Sequence, residues 1–369
     1  MTEISSEDRY AMRDSFSKLL AEQASEKALR EAMASPHGFD ENLWKSMAEL
    51  GLLGLIVDPE YGGIGGDAQI LEDLMEEAGA HLLCSPFIST SVIAASLISA
   101  SSDERLKAEL LSSICDGTKI FAVAATGENG LWTSEDISVE AHKNGDQWTL
   151  DGAASFVLHA EKADQLLVLA RTDGDIRVFL TDTDADAVAV QKLDTNDPTL
   201  RLSKVIFSGP NARPLVDVDE AAIETALDLA KLAQAGEHAG GVKRIFDITV
   251  EYLRTRYQFG RQIGSYQSLK HIAADMLIEV ESAASAARHA AKMMAAGSPE
   301  TKAFISLAAF ACADSYRDVS AQAIQLHGGI AYTWEHPAHL YWRRARTGLW
   351  LFGSSDQHRE EYLTCLEAA

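Results

Sequence analysis

The sequence is poor in cysteine, in basic charge and in long apolar runs, and each shortage excludes something. Four cysteines in 369 residues (Cys84, Cys115, Cys312 and Cys365) have no paired spacing for a metal or a dithiol. They read as reduced thiols of a cytoplasmic protein. Lysine and arginine number 32 against 55 acidic residues, a net charge of −23. That balance argues against nucleic acid and against an anionic membrane, both of which recruit basic surfaces. No apolar run approaches the roughly 20 residues of a membrane span. The opening Met-Thr-Glu-Ile-Ser-Ser-Glu-Asp has no apolar core, so no signal peptide is expected there.

What is present falls into three stretches. Residues 1–118 read as helical: Asp40 is a good capping residue and Gly51 a stop signal. The glycine-rich run at 59–66 lacks a preceding strand and a Lys-Ser/Thr pair, so it reads as a loop rather than a phosphate cradle. Residues 119–215 change to short apolar runs separated by Gly and Asp turns, which predicts a β sandwich or barrel. Helical periodicity returns over 216–369 and predicts a bundle, with Gly236, Gly240 and Gly241 allowing close helix packing. The fold class expected is α+β: an N-terminal helical domain, a middle β domain and a C-terminal helical bundle.

The chain is organised around Tyr252–His271, which holds the run Arg256-Tyr-Gln-Phe-Gly-Arg-Gln-Ile-Gly-Ser-Tyr-Gln-Ser-Leu-Lys-His271. Val242, Ile245, Phe246, Thr249 and Leu253 form an apolar helical face, and Arg256 stands one step further along it. Arg254, Arg256 and Arg261 surround Phe259 and Gly260, a pattern that suits a pyrophosphate or carboxylate. It equally suits a surface helix end whose arginines cap carbonyls.

This stretch resembles the signature of the acyl-CoA dehydrogenase family, and so does Gln325-Leu-His-Gly-Gly-Ile-Ala-Tyr-Thr-Trp-Glu-His336. The Trp-Glu-His ending is similar to the bacterial branch with heterotetrameric enzymes of steroid side-chain degradation. The resemblance implies an FAD flavoprotein that removes hydrogens from the α and β carbons of an acyl-CoA, with an electron-transfer flavoprotein as acceptor. It implies FAD shared across a subunit interface, with Arg256 at the pyrophosphate and Phe259 beside the cofactor. Gln258, Tyr266 and Gln267 would line it, and Gln325, Gly328 and Gly329 would approach the pyrophosphate.

Four places depart from the family. Where the family has a Thr-Glu-Pro loop the chain reads Ala124-Ala-Thr-Gly-Glu-Asn-Gly, with Thr126 the candidate substitute for the hydroxyl, and a Trp-x-Thr reads Phe156-Val-Leu158. The glutamate base is replaced at both usual places, by Phe352 and by Ala230. Glu237 lies two helical turns beyond Ala230, and burial there would raise its pKa. His238, His327, Glu335 and His336 read equally well as packing residues, and no metal cluster is visible.

The leading expectation is a dehydrogenase subunit that pairs with a related chain carrying the base. The alternatives are a self-sufficient homo-oligomer using Glu237, or a non-catalytic scaffold.

Overall fold

The computed structural model describes residues 5–367; Met1 to Ile4, where part of the signal-peptide expectation falls, lie outside the described residues. The residues group into two compact units: 30–67 with 84–230, and 5–29 with 68–83 and the chain from 231 onward.

The order begins with helices α1 (Ser6–Gln23), α2 (Glu26–Ala34), α3 (Glu41–Glu49), α4 (Ala68–Ala80), α5 (Ala95–Ser99) and α6 (Glu104–Cys115). Local chemistry sets their ends. Ser5 caps α1 and Asp40 caps α3 by accepting backbone N–H groups, and Gly51 at φ +75 follows α3. Before α5, residues Ile88–Ala94 form a π-helix, where ordinary helical periodicity was expected. Its Thr90 hydroxyl bridges to strand backbone at Phe121, donating to the carbonyl and accepting from the N–H. In the glycine-rich loop, a Cβ on Gly63 would collide with the Val57 carbonyl, so that glycine serves backbone packing.

Seven strands follow: β1 (Phe121–Ala124), β2 (Glu140–Asn144), β3 (Gln147–Leu158), β4 (Gln165–Thr172), β5 (Asp175–Asp182), β6 (Val188–Lys192) and β7 (Leu202–Pro214). Pairings β4–β5, β5–β7, β7–β3, β3–β2 and β2–β4 close a ring, so the sheet is a small barrel. β1 joins β4 in parallel and β6 extends β7. Leu166 to Ala170 of β4 are all buried, as expected of a strand covered on both faces. β2 is polar and was not expected; five pairs to β3 make it a strand.

The C-terminal part holds α7 (Glu220–Thr255), the hairpin β8 (Tyr257–Gln258) and β9 (Arg261–Gln262), α8 (Gln267–Ala295), α9 (Thr301–His327), α10 (Ala338–Gly348) and α11 (Ser355–Glu367). Within the second unit α4 and α7 cross at backbone distance. A Cβ on Gly79 would collide with the Glu237 carbonyl, and one on Gly240 with the Glu76 carbonyl. α4 is the acidic spine of this unit. Asp73, Glu76 and Glu77 pair with Arg9 and Arg13 of α1, and Glu76 also with Arg288 of α8. Glu72 is 1% exposed, its Oε1 has no hydrogen-bond partner among the described residues, and burial, with Glu76 and Asp73, pushes its carboxyl up to about 8.

Candidate functional site

The two sequence motifs meet at one edge of the second unit. α7 ends at Thr255, and Ile263 N–H donates to the Arg256 carbonyl at 2.9 Å, turning the chain back. Between them Tyr257 pairs with Gln262 and Gln258 with Arg261 around a two-residue turn. That turn is Phe259 at φ +52 and Gly260 at φ +80, the pair of left-handed residues that a tight hairpin requires. Gly264 lies so close to α7 that a Cβ would sit 2.8 Å from the Leu253 carbonyl. Arg261 lies 3.8 Å from the Tyr266 ring centre, a cation–π contact that fixes this ring. Gln267 opens α8, and Gln258 and Gln267 are exposed.

The second motif arrives at the end of α9. Tyr252, one turn before Arg256, stacks on His327 at 4.5 Å between ring centres, and its hydroxyl lies 3.5 Å from the His327 carbonyl. Gly328 then takes φ 65, ψ −142, open only to glycine. A Cβ on Gly328 or Gly329 would meet nothing within 4 Å, so the chain leaves this backbone open to a visitor. Gln325 is exposed beside it. Arg254 and Arg256 are exposed, and among the described residues neither guanidinium has an ion-pair partner.

The expected base positions carry no titratable side chain. Ala230 is fully buried, and Phe352 is 3% exposed at φ 62. After it Ser354 and Gln357 form a reciprocal cap on α11. Glu237 is buried, but its Oε1 accepts a 2.5 Å hydrogen bond from Nη1 of Arg344, itself 1% exposed. Arg344 also donates to the Leu83 carbonyl. Sequence reasoning missed this partner. The signal was there: Leu340, Tyr341, Arg344, Ala345 and Gly348 are the buried stripe of α10, and an arginine on such a stripe needs a counter-charge. His238 is buried, and burial followed by Arg344 pushes it down to about 3, so it stays neutral. Both its ring nitrogens lack a partner among the described residues.

In the first unit the loop after β1 is closed on itself. The Thr126 hydroxyl donates to the Ser155 carbonyl at 2.5 Å. Ser155 N–H donates to the Gly127 carbonyl, and its hydroxyl to Glu128. A Cβ on Gly130 would collide with the Phe156 ring, and Phe156 sits at φ 57 where the β3–β7 register shifts.

Residues 6–118 match the acyl-CoA dehydrogenase N-terminal domain family, and residues 220–363 match the C-terminal domain family. Acyl-CoA dehydrogenase IpdE2 of Mycolicibacterium smegmatis is 32% identical over 94% of this chain and 95% of its own. The chain belongs to the acyl-CoA dehydrogenase family. Members are FAD-dependent oxidoreductases that act on the CH–CH bond of acyl-CoA thioesters. A solved steroid acyl-CoA dehydrogenase, Tcur3481-Tcur3483, superimposes with TM-score 0.88 at 26% identity, covering 98% of both chains. The ChsE4-ChsE5 complex of Mycobacterium tuberculosis gives 0.91 at 24% identity over 100% of both chains and shows the same fold.

FAD fits one of the two regions. Its diphosphate needs cations and approachable backbone, and the Arg256 edge offers a guanidinium without an ion-pair partner among the described residues, with two open glycines in the same edge. In the β1 loop, the Thr126 hydroxyl is already committed to Ser155.

Proposed function

We propose that this chain is a subunit of an FAD-dependent acyl-CoA dehydrogenase that introduces an α,β double bond into an acyl-CoA. It completes an FAD site shared with a related partner chain, and the partner carries the base. The observation behind this reading is the contrast between an unpaired Arg256 beside open glycines and the lack of a usable carboxylate at 230, 237 or 352.

Arg256 would hold the FAD diphosphate as a fork-shaped donor, with the Gly328 and Gly329 backbone against the same phosphates. Gln325, Gln258 and Gln267 would donate amide hydrogens around it, and Phe259 and Tyr266 would shield the dinucleotide from water. FAD, when bound, supplies the acceptor for the β hydride. This chain's own residues leave the α proton to the partner: Phe352 and Ala230 cannot accept it, and Glu237 Oε1 is held by Arg344.

A bulky steroid-derived acyl group is supported by similarity to the Tcur3481-Tcur3483 steroid enzyme. Its paired name and the ChsE4-ChsE5 complex support a heteromeric assembly. An electron-transfer flavoprotein as acceptor and a cytoplasmic location complete the reading; no described helix is long and apolar enough to cross a membrane. The segments 1–118, 119–215 and 216–369 would then be the three family domains.

The test is the visible spectrum of the chain expressed alone and with a co-encoded dehydrogenase-like chain. Colourless alone and yellow in complex is expected. A chain that is yellow alone and bleached by an acyl-CoA would sink the shared-site reading and return Glu237 as the base.

A further inference from the structure

Three rings join the two halves of the Arg256 edge. Tyr252 lies on α7 one turn before Arg256, and His327 is the last residue of α9, directly before Gly328. The Tyr252 and His327 rings stack at an interplanar angle of 28°, and the His336 ring centre lies 4.5 Å from that of His327. His327 Nδ1 is 2.8 Å from the Ala323 carbonyl, so Nδ1 carries the proton and donates. Its Nε2 is the bare nitrogen, buried and without a hydrogen-bond partner among the described residues. His336 Nδ1 accepts from Ala338 N–H at 3.2 Å. Of charged groups, Glu26 faces His336, and the titratable groups that face His327 are Tyr252 from α7 and His336.

We propose that the Tyr252, His327 and His336 rings form a clasp that holds Arg256 and the Gly328 and Gly329 backbone in register for one dinucleotide. His327 and His336 are positioning residues, and charging them opens the clasp and releases FAD. The proposal rests on the reading of this edge as a dinucleotide site.

A second proton on His327 would sit on Nε2, where no acceptor waits, beside another imidazole. Burial holds both imidazoles below the ordinary histidine value; His327 lowers His336 further, and Glu26 opposes that. A depressed histidine favours the folded arrangement above its unfolded pKa of about 6.5 and withdraws that support as pH falls through the folded value. The clasp is therefore shut at neutral pH and opens in acid.

The experiment takes the flavin-loaded protein as isolated, with its partner where they co-purify, through pH 8 to 5. Free FAD is read by fluorescence in an ultrafiltrate, and circular dichroism follows the helices. Release is expected to rise about tenfold per pH unit once the imidazoles charge, with the helix signal intact. His336→Phe keeps a ring without a charge and should move the half-release point down by roughly one pH unit. His336→Gln serves if the Phe variant does not fold. An unshifted curve in a folded variant, or release that tracks loss of helix signal, overturns the clasp. Arg256→Ala separates the two ideas. Full retention of FAD at pH 8 would undo the dinucleotide site itself, whereas loss of FAD with an unshifted His336 curve would undo the clasp alone.

Discussion

Arg344 and Arg256 stand in the same unit and do opposite things. Arg344 is 1% exposed and answered by Glu237 and the Leu83 carbonyl. Arg256 is exposed and answered by nothing among the described residues. The first guanidinium is a folding group: its charge is neutralised within the chain, and the bundle is built around the pair. The second is a binding group, whose counter-charge has to arrive from outside. The same contrast separates the β1 loop, where Thr126 donates to Ser155 and Ser155 to Gly127 and Glu128, from Gly328 and Gly329, where an added Cβ would meet nothing within 4 Å. Departures from the family fall where the chain is self-satisfied, and the retained motif falls where it is open.

The strongest way to break the comparison is Arg344→Ala. It would leave Glu237 buried without its counter-charge and should cost about 3–5 kcal/mol in urea unfolding. Replacing both residues with apolar ones should recover most of that loss. An unchanged unfolding midpoint would show that the pair is no folding group.

Next comes Arg256→Ala. Loss of a charge-assisted contact of about 1.5–3 kcal/mol should weaken FAD binding roughly 10- to 100-fold. The unfolding curve of the flavin-free chain should move by less than about 0.5 kcal/mol. A large stability loss would make Arg256 a folding group too.

Glu72 sharpens the folding side through pH. Its carboxyl is raised from 4.5 to about 8, so the folded chain holds a proton that the unfolded chain has released. Stability should therefore fall as pH rises from the unfolded value toward the folded one, with a slope of at most about 1.4 kcal/mol per pH unit from this group. Glu72→Gln should flatten that slope in melts between those limits.

The smallest effect belongs to Thr126→Val, which removes one buried hydrogen bond worth about 1 kcal/mol. Flavin content of the complex should not change. Reduced flavin at unchanged stability would show that the Thr126 hydroxyl reaches outward after all.

Much of this was legible in the sequence. The turn-separated apolar runs marked β4 and the buried half of β5, because strand segments covered on both faces must be apolar over several consecutive residues. Gly236, Gly240 and Gly241 announced close packing, and the backbone of α4 and the Tyr316 ring are what they admit. β2 was hidden because an exposed Glu-Ala-His-Lys-Asn strand owes its shape to pairing rather than to its own pattern. The π-helix at Ile88–Ala94 was hidden because Ser89 to Ala94 are all buried, so no exposed face alternates to mark the residues per turn. In the site, the motif residues were visible from their resemblance. The engagement of Glu237 was not, because Arg344 lies 107 positions away and only the fold brings them together.

Phe259 carries a consequence for behaviour in dilute solution. A bulky residue at φ +52 is disfavoured by about 1–2 kcal/mol, and this one is also 92% exposed. The hairpin pairs Tyr257–Gln262 and Gln258–Arg261 offset the first penalty, and association would offset the second. Folding and assembly are then linked by mass action, and apparent stability should climb with protein concentration. Exchanging Phe259 for asparagine, which tolerates that conformation, should weaken this dependence while leaving the lone chain slightly more stable.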